Sequence, residues 1–114
     1  MMTLEYAGKI IDTDNEGYLL EPEQWNEEVA LQIAEGESLE MNEERWQIVR
    51  IVRDHYEHTS CVIELRKVLK SLKEHSGADR ATRKHVYNLF PYGYGQQACK
   101  IAGMRKPLKV LLDL

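Results

Sequence analysis

The chain has 114 residues, length for one domain that can bury roughly two-thirds of its unfolded surface, and leaves no room for a second. With 43% hydrophobic and 30% charged residues it reads as an ordinary globular chain, and no apolar run approaches the ~18 residues of a membrane span. The net charge of −4 is unevenly spread: residues 1–59 carry fifteen Asp/Glu against four Lys/Arg, residues 60–114 eleven Lys/Arg against four Asp/Glu. Either the basic half meets something anionic, or the two halves attract each other within the fold.

The N-terminus shows no basic region followed by an apolar stretch, so the cytoplasm is the expected compartment. Two cysteines 38 positions apart form neither a disulfide framework nor a paired zinc motif, and each is weighed as a thiol.

In chain order, residues 4–11 and 17–20 are β-prone runs flanking a polar stretch, which predicts a small hairpin lying on a helical body. Pro22 suits a first helical position, and Trp25, Val29, Ala30 and Ile33 follow at helical spacing until Gly36. Asn42 is the expected N-cap of the strongest helix, whose stripe of Trp46, Ile48, Val49, Ile51, Val52 and Tyr56 is broad enough for a central position. Thr59 or Ser60 is expected to cap the next helix, with Val62, Leu65, Val68, Leu69 and Leu72 inside and Arg66, Lys67, Lys70 and Lys73 in water. Asp79 is expected to cap a further helix that Pro91 stops. A glycine-rich turn follows, then a short helix over residues 96–102 ended by Gly103, then an extended segment.

Cys99 lies near the middle of that short helix, with Lys100 beside it. A lysine there could favour the thiolate, while a lone cysteine next to Ala98 equally suits a small buried hydrophobe. Cys61 is expected in the first turn of a helix, where backbone N–H groups stabilise a thiolate. His55, His58 and Cys61 recur at intervals of three but have no evident fourth ligand, so no metal site is expected, and no nucleotide-binding or catalytic-triad motif marks a cofactor. The basic helices over 60–73 and 79–90 have a helix-turn-helix outline in which Arg80, Arg83 and Lys84 could meet DNA, although the connection is long for that motif.

Six blocks in order, Tyr6-Ala-Gly-Lys-Ile-Ile11, Asp14-Asn-Glu-Gly-Tyr18, Gln24-Trp25, Trp46-Gln-Ile-Val-Arg50 with Arg53-Asp54-His-Tyr56, Tyr87-Asn-Leu-Phe-Pro91 and Gln97-Ala-Cys-Lys-Ile-Ala-Gly103, resemble the sulfur-relay family of TusE and DsrC, the latter being the gamma subunit of dissimilatory sulfite reductase. The resemblance implies a mainly α fold: an orthogonal helical bundle with a small N-terminal β-hairpin over 1–20, a helical body over 21–103 and an extended C-terminal arm over 104–114. It also implies a sulfurtransferase or sulfite-reductase-type protein partner, met through Lys100, Arg105, Lys106 and Lys109, and it matches Cys99 to the inner, resolving-type thiol of the DsrC branch. The family's sulfur-carrying cysteine follows a Lys-Pro pair near the end of the arm, and counting from Lys106-Pro107 puts Val110 in its place. Two functions stay open: a non-standard sulfur carrier using Cys99 and Cys61, or a regulatory or scaffold homologue without transfer that could bind DNA. Oligomeric state is not readable.

Overall fold

Gly8 turns the chain back on itself within its first apolar run. At a φ of +79°, comfortable for a residue without Cβ, it lets β1 (Met2–Tyr6) pair antiparallel with β2 (Lys9–Thr13), Tyr6 opposite Lys9 and Leu4 opposite Ile11. The expected partner run at 17–20 supplies one isolated bridge, Thr13 to Leu19, so the hairpin lies earlier than the sequence suggested. The computed structural model describes residues 2–6 and 8–106.

Pro22 opens a 3-10 turn (Pro22–Gln24), and the chain leaves helical geometry at Trp25 before α1 (Glu27–Gly36) begins. Asn26 caps α1, its side chain accepting from the Val29 N–H at 3.0 Å, so the expected single helix from Pro22 is two elements. α2 (Glu43–Thr59) starts where expected: the Asn42 side chain accepts from the Arg45 N–H at 2.9 Å, and Glu43 and Glu44 occupy the positive end of the helix dipole. Its Ile48, Val49 and Val52 are fully buried.

Ser60 ends α2 in a left-handed conformation, φ +58°, and caps no following helix. α3 (Leu65–Ser76) begins four residues after Cys61, and Leu65, Val68 and Leu72 form its buried stripe. A 3-10 turn (Ala78–Arg80) follows, and α4 (Arg83–Leu89) is capped by Thr82, whose hydroxyl accepts from the His85 N–H at 3.1 Å. Asp79 therefore sits in the connection, not at the cap. A five-residue π-helical turn (Tyr94–Ala98) runs into the one-turn α5 (Cys99–Ile101), which packs against α1 and α2. Over the described residues the fold is mainly helical with one two-stranded antiparallel sheet.

The acidic and basic halves meet inside this fold: Lys100 pairs with Glu37 at 3.2 Å, Lys106 with Glu16 at 2.8 Å and Arg80 with Glu44 at 3.1 Å. No helix among the described residues is long and apolar enough to cross a membrane.

Candidate functional site

The turn carrying Cys99 is closed from three directions by polar side chains that reach its backbone. Tyr18 donates its hydroxyl to the Gly95 carbonyl at 2.9 Å, Trp25 its indole N–H to the Ile101 carbonyl at 2.7 Å, and Arg53 a guanidinium N–H to the Ala102 carbonyl at 3.3 Å. Carbonyls of so short a helix have few intrahelical partners, so these long-range donors satisfy groups that burial would otherwise leave orphaned. Arg53 also donates to the Pro22 carbonyl at 2.7 Å and lies over the Trp25 ring, 4.8 Å from its centroid.

Below the turn, Tyr94 donates to the Ile63 carbonyl at 2.6 Å. The buried Gln97 side chain accepts from the Tyr92 N–H at 3.0 Å, fixing the bend after Pro91. At its far end Gly103 has φ +78°, and the Met104 N–H returns to the Cys99 carbonyl at 3.1 Å. These main-chain bonds cap the C-terminal end of α5.

Cys99 is fully buried, and burial pushes its thiol pKa from 9.0 up to about 12, only partly offset by the Tyr94 hydroxyl beside it. The thiol is protonated at neutral pH. Lys100 does not promote the thiolate, because its ammonium is turned to Glu37 and lies 5.0 Å from the Tyr18 ring centroid. An open groove of about 520 Å³ lies beside Glu37, with Leu39, Pro91, Tyr92 and Gln97 in its walls, but Cys99 does not line it.

The raised pKa carries a pH dependence. Between the unfolded value near 9.0 and about 12 the unfolded chain has lost the thiol proton that the folded chain keeps, so stability is complete below about pH 9 and falls above it. The slope from this thiol approaches about 1.4 kcal/mol per pH unit. Urea unfolding from about pH 8 to about pH 10 is expected to show the decline, and Cys99→Ala to flatten it; equal slopes in the two proteins would contradict the assignment.

Cys61 is exposed in the loop after α2, its N–H bonded to the Thr59 hydroxyl at 3.2 Å, and the helix N-terminus expected to activate it is absent at that position. His58 turns its ring to the Asp54 carbonyl at 2.7 Å, and His55, His58 and Cys61 form no metal-holding group among the described residues. Of the basic residues considered for DNA, Arg83 and Lys84 are exposed on α4, but Arg80 precedes that helix and is held by Glu44. Arg105 and Lys106 are exposed at the base of the arm; Lys109 and Val110 lie outside the described residues. Tyr18, Trp25 and Arg53 were not singled out as site residues from sequence. The one available signal was their place in the family-like blocks, since their partners lie 31 to 77 positions away.

Residues 5–111 match the family model described as DsrC like protein. The chain is 41% identical over 108 residues to the sulfurtransferase TusE of Escherichia coli strain K12, spanning 95% of this chain and 99% of the relative. The TusE homolog of Haemophilus influenzae is 39% identical over the same shares. Among solved structures, the oxidized gamma subunit of the dissimilatory sulfite reductase (DsrC) from Archaeoglobus fulgidus superposes with a TM-score of 0.85 at 34% identity, covering 93% of this chain and 96% of that one. Allochromatium vinosum DsrC gives 0.83 at 37% identity, covering 93% and 95%.

Proposed function

We propose that this chain, which belongs to the family of DsrC-like sulfur-relay proteins, docks on a sulfurtransferase-type partner in the cytoplasm through the base of its arm and, while free, carries no sulfur on Cys99. The observation that carries this reading is the state of the thiol. A group that is fully buried and protonated cannot attack a sulfur donor, because the thiolate is the nucleophile and needs a path to it. Arg105 and Lys106 stand exposed at the arm base, where a partner reaches them without disturbing the core. With Val110 at the position where the family pattern has its arm cysteine, the arm itself offers no acceptor.

A second reading rests on the exposure of Cys61, which makes it the accessible thiol and a carrier in place of the arm cysteine. Persulfide exposure separates the two. Transfer moves the outer sulfur of the donor persulfide, with its proton, to the acceptor thiolate and releases the donor as its thiolate. Intact-protein and peptide mass spectra of the free folded chain are expected to show no added sulfur on Cys99. Addition at Cys61 supports the carrier reading, and addition at Cys99 in the free protein sinks the proposal. Docking is checked by loss of binding to a sulfurtransferase-type relay protein when Arg105 and Lys106 are both changed to Gln.

A further inference from the structure

The segment that leaves the capped end of α5 is fastened to the N-terminal region by charge. Residues 14–18 form a rigid turn: the Asp14 carboxylate accepts from the N–H groups of Glu16 at 2.9 Å and Tyr18 at 3.0 Å, and its backbone N–H bonds to the Tyr18 carbonyl at 2.9 Å. This turn lies against the Cys99 helix. Tyr18 is bonded to Gly95, and the Lys100 stem runs beside Gly17. Two ion pairs complete the seam. Lys100 with Glu37 is the inner one, with side chains 12% and 23% exposed; Lys106 with Glu16 is the outer one, 58% and 54% exposed.

The outer pair is open to water, so salt and competing carboxylates act on it directly, whereas the inner pair is shielded. Met104, between them, is fully buried and returns its N–H to Cys99. Arg105, next to Lys106, is exposed and has no ion pair among the described residues.

We infer that the Lys106–Glu16 and Lys100–Glu37 pairs are a releasable seam that shuts Cys99, and that the partner which opens it presents a carboxylate-rich surface to Arg105 and Lys106 in place of Glu16. This rests on the docking reading and adds what the docking does: it replaces an internal carboxylate by an external one, and the cap bonds of Gly103 to Lys100 and Met104 to Cys99 become free to open. No covalent step is involved. Release of the outer pair lowers the cost of local opening without requiring the helical body to unfold.

The test is alkylation of Cys99 by iodoacetamide in a Cys61→Ser protein, read by mass spectrometry. Glu16→Gln with Glu37→Gln is expected to speed alkylation about three- to tenfold, as loss of two partly exposed ion pairs allows. High salt is expected to speed the parent and leave the double variant unchanged. Poly-L-glutamate, as the acidic probe, is expected to accelerate the parent but not its Lys106→Gln variant. Glu44→Gln, which breaks the distant pair with Arg80, is expected to have no effect. Equal rates in parent and double variant overturn the seam, as do rates that merely follow global stability in urea or an equal acceleration by Glu44→Gln. A null result with poly-L-glutamate overturns the acidic partner. Alkylation reports access and not sulfur, so failure here leaves the docking proposal standing, and sulfur uptake by free Cys99 would sink that proposal independently.

Discussion

Gly103→Ala is expected to destabilise the protein by about 3–5 kcal/mol, the sum of a backbone cost and a steric one. A Cβ at this position would stand 2.3 Å from Cδ1, 2.6 Å from Cγ and 2.8 Å from Cβ of Trp25, where real contacts are about 3.5 Å or longer. The φ of +78° adds a penalty that any L side chain incurs. Trp25 cannot step aside cheaply, because its indole N–H is bonded to the Ile101 carbonyl and Arg53 lies over its face. For a domain whose total stability is of order 5–15 kcal/mol, such a loss is a large fraction, and a fall in Tm of about 10–20 °C is expected by calorimetry. Trp25→Ala takes away the two nearest ring atoms and leaves its Cβ, so adding Gly103→Ala in that background should cost about 1–3 kcal/mol less. Full additivity of the two changes would show that the contact is not the cause.

The steric relation between Gly103 and Trp25 marks where sequence reading stopped. Gly103 was legible as a helix end, because a glycine after an apolar helical run has a local meaning. Its partner 78 positions earlier was not. The same division runs through the fold. Asn42 was legible as a cap because its bond to the Arg45 N–H is made within four residues, and the buried stripes of α2 and α3 follow from their spacing. Local ambiguities were settled by geometry that spacing does not encode. Gly8 split one β-prone run into two strands, Ser60 took a left-handed conformation that ended a helix, and Thr82 took the cap from Asp79. Two of these moved a candidate: Cys61 left its helix terminus, and Arg80 left α4 for a pair with Glu44.

Both possible states of Cys99, activated by Lys100 or buried, were consistent with the sequence. The outcome was decided by side chains from other elements. Glu37 draws the Lys100 ammonium away, while Tyr18, Tyr94 and Met104 help to close the space around α5. The two opposed halves of the chain meet here as well, so part of the charge asymmetry that suggested an anionic partner is spent internally; at the arm base Lys106 is paired with Glu16 while still exposed, and Arg105 has no ion pair among the described residues.

Arg53→Met is expected to cost about 2–4 kcal/mol, although it replaces a buried charge by an unbranched apolar side chain that covers the arginine stem. Removing a buried ion pair in favour of hydrophobic residues is often neutral, since the desolvation of two charges is recovered. Arg53 is a different case. Its buried N–H groups are bonded to neutral backbone carbonyls, Pro22 at 2.7 Å and Ala102 at 3.3 Å, and its carboxylate partner among the described residues, Glu57, is 58% exposed and returns to water when released. Methionine would leave both carbonyls without a donor inside the protein, each costing about 1–3 kcal/mol, and would give up the stacking on Trp25 and Tyr56. Arg53→Lys keeps the charge but has no planar fork to reach two carbonyls on separate segments, so it should recover less than half of the loss. Urea unfolding with an unchanged m-value would show the stability effect, and amide exchange of residues 101–104 is expected to accelerate more than that of the α2 core. An Arg53→Met protein as stable as the parent would mean that water replaces the guanidinium at both carbonyls. The remaining long-range side-chain donors to the backbone of this turn would then be Trp25 and Tyr18.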